Sequence, residues 1–261
     1  MSHPYQTLLV ERAPEGFATL TLNRPNKLNT LSILMRQELA LAIDQLQADA
    51  SLRVLILTGA GRAFSAGLDI DEWDAPGRQA AGAYEFDAVQ ALLRFTGPII
   101  GAINGACVTG GLELALACDL LLAAPEARFA DSHARVGLLP GWGGSVRLAR
   151  AIGLRRAKEL ALSGRWLGAQ EALQWGLVNH VCAAEDLLPK AQAMARDMLR
   201  GAPGILASYK RLLDQGHAAV MADALKLERQ ASLDKNLGVR RDQIDERLPD
   251  VRRRAPQSKS E

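Results

Sequence analysis

The apolar positions of this chain change period as the sequence is followed, and each period predicts an element. Thr7 to Arg12 and Phe17 to Asn23 are short β-like runs separated by Ala13-Pro14-Glu15-Gly16. In the second run Phe17, Thr19 and Thr21 fall on one side, and Ala18, Leu20 and Leu22 on the other, which predicts a hairpin. Ser32 is placed to cap a helix reaching about Ala50, because Leu39, Ile43, Leu46 and Ala50 recur at helical spacing. Val54 to Thr58 is a continuous apolar run closed by glycine, the pattern of a strand buried on both faces. A loop rich in small residues follows from Gly59 to Gly67.

Tyr84 to Phe95 is helical in pattern, Pro98 to Asn104 is a second buried strand, Gly110-Gly111 opens a helix through Cys118, and Asp119 to Ala123 is again a strand. The order strand, loop, helix, repeated, predicts a layered α/β fold. After Gly143 the pattern becomes a string of helices, with breaks expected at Gly153, Gly164, Gly176, Gly201-Ala202-Pro203-Gly204 and Gly216. The charged, proline-containing end from Val251 to Glu261 is expected to fray.

Composition adds exclusions. With 261 residues the chain can form one large core, or a core with a small appendage. Apolar residues make up 48% and charged residues 23%, as in an ordinary soluble globular protein. The net charge of +2 offers no basic excess for nucleic acid. Ile99 to Ala124 has no Lys or Arg and could match a bilayer in length, but Asn104, Glu113, Asp119 and several glycines argue for buried elements instead. No signal-peptide pattern opens the chain. Cys107, Cys118 and Cys182 form no CxxC pair, and an odd number suits a reducing cytoplasm. His3, His133, His180 and His217 are scattered, so no metal site is expected. Gly141-Trp142-Gly143-Gly144 lacks the context of a dinucleotide loop, and no phosphate loop, nucleophile elbow or HExxH pair is present. Trp142, Trp166 and Trp175 read as packing residues, with Trp142 also placed to wall a pocket.

Candidate chemistry lies in three segments after predicted strands: Ala63 to Ile70, Asn104 to Glu113, and Phe129 to His133 leading into Gly137 to Gly144. In the second, glycines allow backbone N–H groups to face a ligand, and the start of a helix aims unpaired N–H groups at the same spot. Such a spot stabilises negative charge on an oxygen. Glu113 follows Gly110 by three residues and leans toward the helix N-terminus, so it reaches the same space. An anion-stabilising amide and a carboxylate on one turn suit enolate chemistry alpha to a carbonyl. Spacing alone equally allows Glu113 to be an acid that merely favours the helix start.

Four stretches together carry a family resemblance: Leu22 to Leu31, Phe64-Ser65-Ala66-Gly67-Leu68-Asp69, Ala102-Ile103-Asn104-Gly105 through Glu113, and Leu138 through Gly144. In order and spacing they resemble the enoyl-CoA hydratase/isomerase (crotonase) superfamily, from about Leu8 into the C-terminal helices. The resemblance implies a crotonase-like spiral of ββα turns over residues 1–200 and a C-terminal helical region over 201–261. It implies a homotrimer or a dimer of trimers, and an acyl-CoA substrate whose coenzyme A makes a separate cofactor unnecessary. By position, the amides of Leu68 and Gly110 would hold the thioester oxygen. The strand-and-loop segment around Lys27, with Ala66, Leu68, Asp69 and Ile70 and with Gly110, would line the coenzyme path. Glu113 would be the first of the hydratase's two catalytic glutamates.

The second glutamate would fall at position 133, where this chain has His133. An imidazole titrates near neutrality and could replace the glutamate as acid or base; it could equally pack or hydrogen-bond in the pocket. Asp131 is a lesser candidate for a carboxylate in the pocket, since on an extended segment it would face the same side as His133; its expected place is an exposed loop. Thr109 stands where hydratases usually have another glycine, with little effect expected. Asp71 stands where some have a lysine near the phosphates, a loss that other Lys or Arg residues could offset. Three functions follow: hydration of a 2-enoyl-CoA; one-base enolate chemistry such as double-bond isomerisation, decarboxylation or thioester cleavage; and acyl-CoA binding without catalysis.

Overall fold

The computed structural model describes residues 5–73, 87–201 and 205–218, together with 229, 233, 237–238, 240–246 and 248–249. The expected fraying end, the start of the Tyr84 helix and most of the segment after Trp73 lie outside the described residues. The first two strands form the expected hairpin: β1 (Leu8–Ala13) pairs antiparallel with β2 (Phe17–Leu22), and the Gly16 amide closes the turn onto the Ala13 carbonyl at 3.1 Å. Next to β2 lie β3 (Val54–Gly59), β5 (Ile99–Ile103), β7 (Leu120–Ala123) and β10 (His180–Val181), all parallel, in a six-stranded sheet of order β1-β2-β3-β5-β7-β10.

Both faces of this sheet are covered, which is why its strands read as unbroken apolar runs. Phe17, Val54, Ile56, Ile100, Ala102 and Leu122 point to one face and meet Leu187, Ala191 and Ala195 of α8 (Ala184–Leu199). Leu20, Leu22, Leu55, Leu57, Ile103 and Leu121 point to the other and join the main core. Each such fully buried Leu or Ile contributes roughly 1.5–3 kcal/mol. That second face carries α1 (Ile33–Ala48), whose Met35, Leu39, Ile43 and Leu46 are buried and whose first turn is capped by the Ser32 hydroxyl accepting from the Met35 amide at 3.1 Å. Both the cap and the apolar stripe were legible in the spacing.

The segments read as loops hold a second sheet. Short strands β4 (Ala63–Ser65), β6 (Ala106–Val108), β8 (Arg128–Ala130) and β9 (Leu167–Gly168) form it in the order β4-β6-β8-β9. Two or three residues carry too little pattern to show as strands. Each turn of the chain thus runs through a strand in the large sheet, a strand in the small one and a helix: β3, β4 and α2 (Ala88–Arg94); β5, β6 and α3 (Gly110–Leu116); β7, β8 and α4 (His133–Val136). This is the expected spiral of ββα turns. Asparagines lace its corners. Asn104 donates to the carbonyls of Gly61 (2.8 Å) and Ala63 (3.2 Å) and accepts from the Gly59 amide; Asn29 donates to Ala60 and Ala63.

The C-terminal half departs from the string of helices in two ways. Helices α5 (Gly144–Ile152), α6 (Leu154–Ser163) and α7 (Ala169–Trp175) end at the expected glycines, but β9 and β10 are interposed. Both are two-residue strands fixed by their sheet neighbours, not by their own sequence. In addition, α9 (Ile205–Ala218) passes through Gly216 without a break, since one glycine costs a helix only about 1 kcal/mol. A short helix, Arg241–Asp245, returns to the core: Ile244 is buried with Trp73 and Val136. Among the described residues no helix is long and apolar enough to cross a membrane.

Candidate active site

The spiral brings two sequence-distant turns into contact. A parallel bridge from Leu31 to Leu68 uses the Gly67 carbonyl, which accepts from the Leu31 amide at 2.8 Å, and the Asp69 amide, which donates to the Leu31 carbonyl at 3.4 Å. The Leu68 amide lies between them and therefore points away from Leu31. Its nitrogen lies beside the start of α3: a methyl group placed on Gly110 would be 3.5 Å from it. As the first residue of α3, Gly110 has an N–H without an intrahelical partner. Only glycine suits Gly67, whose φ is +94° and whose Cβ would fall 2.2 Å from Thr109 Oγ1. Thr109 itself has φ 47° and ψ −112°, a conformation glycine takes freely but a β-branched residue holds at a cost of about 1–3 kcal/mol. The little effect expected of this threonine thus conceals backbone strain beside the site.

Glu113 sits one turn into α3, 4% exposed. Its Oε1 accepts from the backbone amides of Trp142 (2.7 Å) and Gly144 (3.0 Å), at the start of α5. The Gly141 to Gly144 stretch therefore holds this carboxylate. A methyl group on Gly110 would also lie 3.1 Å from the Trp142 ring, so that ring lies against the Gly110 turn. The other oxygen, Oε2, is 3.6 Å from His133 Nε2. His133 Nδ1 lies 2.7 Å from Asp131 Oδ1, and the same oxygen accepts from the His133 backbone amide at 3.1 Å. Asp131 is 5% exposed, which corrects the expectation of an exposed loop aspartate. Its carboxylate does meet His133, but through a turn and not by alternation along an extended segment: β8 ends at Ala130, Ser132 has ψ 8°, and His133 opens α4.

Around the proposed coenzyme path, the strand-and-loop segment at Lys27 is β2 followed by a loop that holds a 3-10 turn (Pro25–Lys27). Proline at its first position suits the turn. Lys27 Nζ pairs with Asp71 at 2.9 Å, and that hydrogen bond raises the lysine pKa and lowers that of Asp71. Arg241, from the returning C-terminal helix, also reaches Asp71 (3.5 Å) and the Ile70 carbonyl. Two cations thus flank the acidic Asp71. Asp69 is buried and accepts from Arg24 at 2.8 Å, while its other oxygen caps the 3-10 turn Ile70–Glu72. Ala66 is half-buried and its amide donates to the Leu28 carbonyl.

Sequence reasoning brought together Leu68, Gly110, Glu113 and His133, and it missed the supports. Arg24, Asn29 and Ser65 bind the Leu28-to-Leu31 segment to the Ala63-to-Asp69 run: Arg24 also donates to Thr30, and Ser65 Oγ donates to the Asn29 carbonyl at 2.8 Å. The signal was available only as several polar residues in otherwise apolar or turn segments. Desolvation pushes the Cys107 and Cys118 thiols up, so neither is a ready nucleophile. Among the described residues no group of three His, Cys, Asp or Glu side chains could hold a metal ion.

The profile of the enoyl-CoA hydratase/isomerase family matches residues 12–238. A probable enoyl-CoA hydratase of Mycobacterium leprae is 37% identical over 254 residues, covering 97% of this chain and 98% of its own. A probable peroxisomal enoyl-CoA hydratase of Arabidopsis thaliana is 38% identical over 221 residues, covering 85% of this chain and 83% of its own. The solved structure of an enoyl-CoA hydratase from Mycobacterium tuberculosis superposes with a TM-score of 0.80 at 39% identity, covering 89% of this chain and all of that one (100%).

Proposed function

The chain belongs to the enoyl-CoA hydratase/isomerase family, and from that membership we propose that it adds water across the double bond of a 2-enoyl-CoA. The observation that carries this reading is the buried Glu113 carboxylate, fixed by two backbone amides next to the abutting Leu68 and Gly110 turns. The Leu68 and Gly110 amides donate to the thioester oxygen and stabilise the enolate charge that develops there. The Glu113 carboxylate, through Oε2, takes a proton from water as the water oxygen bonds to Cβ. His133, as the doubly protonated imidazolium, delivers its Nε2 proton to Cα and is left neutral. The proton on Glu113 then passes to His133, across a gap that is 3.6 Å at rest, and the site is restored.

Lys27 and the run Ala66, Leu68, Asp69 and Ile70, with Gly110, line the coenzyme path in this reading. Its support is the exposed lysine beside that run. Asp69, held by Arg24, shapes the path instead of contacting phosphate. No separate cofactor is assigned, because coenzyme A arrives with the substrate. The spiral core is taken to end near residue 200, between α8 and α9. We place the protein in the cytoplasm on its three unpaired cysteines, and as a homotrimer or dimer of trimers. Exposed apolar side chains support a partner copy: Ile205, Tyr209 and Leu213 repeat every four residues along α9.

One observation favours a second reading on the same scaffold. His133 replaces the second carboxylate, and double-bond isomerisation needs proton transfer but no water. Incubation with crotonyl-CoA and with a 3-enoyl-CoA separates the two. Loss of the conjugated thioester absorbance from crotonyl-CoA supports hydration. Its appearance from the 3-enoyl substrate, with crotonyl-CoA unchanged, supports isomerisation. Binding of coenzyme A esters with neither change overturns both.

A further inference from the structure

We propose that Asp131 is the positioning residue that fixes the tautomer of His133 and so makes Nε2 the atom that exchanges protons; this rests on the reading of His133 given above. An ionised carboxylate only accepts hydrogen bonds. With Oδ1 at 2.7 Å, Asp131 obliges Nδ1 to carry the ring proton. The neutral ring then presents an unprotonated Nε2, and that is the nitrogen facing Glu113 Oε2. Glu113 is itself held by the Trp142 and Gly144 amides, so the ring lies between two fixed carboxylates. Asp131 cannot swing away cheaply. It is buried, and the same Oδ1 accepts from the His133 backbone amide, which locks the side chain to the residue it orients. Among the described residues the carboxylates facing the ring are Asp131 from the end of β8 and Glu113 from α3. On α4 itself, Arg135 turns to the Ser163 carbonyl of α6.

The arrangement has the same logic as an aspartate that orients a catalytic histidine in a hydrolase triad. Here it answers a specific need. A glutamate at position 133 would require no tautomer control, because its two oxygens are equivalent; an imidazole does, because its nitrogens are not. The change to histidine and the buried aspartate two residues earlier form one unit.

Side-chain ¹⁵N NMR of the full-length protein tests this directly, since the sequence has 4 histidines and a His133→Gln variant assigns the signal. The expected neutral ring is protonated on Nδ1. In Asp131→Asn the preference is lost, kcat falls about 100-fold with KM within about twofold, and the limb of the kcat profile that reports the ring moves to lower pH by about one unit. A neutral native ring whose single proton sits on Nε2 overturns the proposal even if the variant fails to fold. So does a variant with unchanged tautomer and pH profile. If the native enzyme turns over neither enoyl-CoA, the functional reading fails while the tautomer measurement still decides the role of Asp131.

Discussion

Replacing Glu113 by glutamine removes the charge of the central carboxylate and little else. The carboxamide oxygen of the new side chain can still accept from the Trp142 and Gly144 amides, which in the native protein lie 2.7 and 3.0 Å from Oε1. The carboxamide nitrogen takes the place of Oε2, 3.6 Å from the imidazole. Each charge-assisted bond that becomes neutral loses about 1 kcal/mol, so the pair loses about 2 kcal/mol. Against this, the carboxylate no longer has to be desolvated, a cost of several kcal/mol for a buried ion. The two nearly cancel, and the stability measured by urea unfolding should change by less than about 2 kcal/mol. Catalysis has no such offset. A positioned base contributes roughly 10²–10⁴ in rate, which is about 3–5.5 kcal/mol of barrier. Glutamine is the informative substitution because alanine would leave two buried amides unpaired, at about 1–3 kcal/mol each, and confuse folding with chemistry. The assay follows conjugated-thioester absorbance of crotonyl-CoA at saturating and limiting concentrations. The expected result is a fall in kcat of about 100-fold or more at nearly constant KM. A well-folded Glu113→Gln enzyme with kcat within a few-fold of the native one would refute the assignment of the base.

Other outcomes follow from the same geometry. Gly110→Ala puts a methyl group 3.1 Å from the Trp142 ring and 3.5 Å from the Leu68 amide, so kcat/KM should fall about 100-fold or more, while the melting temperature stays within a few degrees because alanine favours a helix start; unchanged kcat/KM would show that no substrate atom enters there. Asn29→Ala orphans the Ala60 carbonyl and the Arg24 amide, at 2.9 and 2.8 Å, leaves the Ala63 carbonyl with its longer bond from Asn104, and should cost about 2 kcal/mol or more in a urea titration. Lys210→Met leaves Asp119 without its ion partner at 2.6 Å and should cost about 2 kcal/mol, with part of it recovered in the Asp119→Asn, Lys210→Met double variant. Burial raises the Asp119 pKa despite this lysine, and Lys210 is raised by Asp119 despite its own burial. A raised lysine stabilises the fold below its unfolded pKa, near 10.5, and loses that contribution as pH rises through the folded value. The native melting temperature should therefore fall more steeply above about pH 10.5 than that of the double variant.

Sequence alone determined the elements whose period or capping is local, and it determined the family. The hairpin, the Ser32 cap, the apolar runs of β3 and β5 and the glycine turn into α3 each carry their signal within a few neighbouring residues. The fixed order of the family's motifs placed Leu68, Gly110 and Glu113 together, because chain order along a spiral is spatial order.

What depends on partners across the fold was decided only by tertiary structure. The short strands β4, β6, β8, β9 and β10 exist because neighbouring turns of the spiral offer them hydrogen bonds; two or three residues cannot specify a strand by themselves. Gly216 stays helical for the converse reason, a local preference too weak to break the helix around it. Asp131 is the sharpest case. Sequence alternation assumed an extended segment, whereas a turn at Ser132 brings its carboxylate to the His133 amide and ring. Its donors, the ring and backbone amide of His133, lie only two residues away; tertiary structure added the burial of the pair and the Glu113 carboxylate of α3 on the far side of the ring.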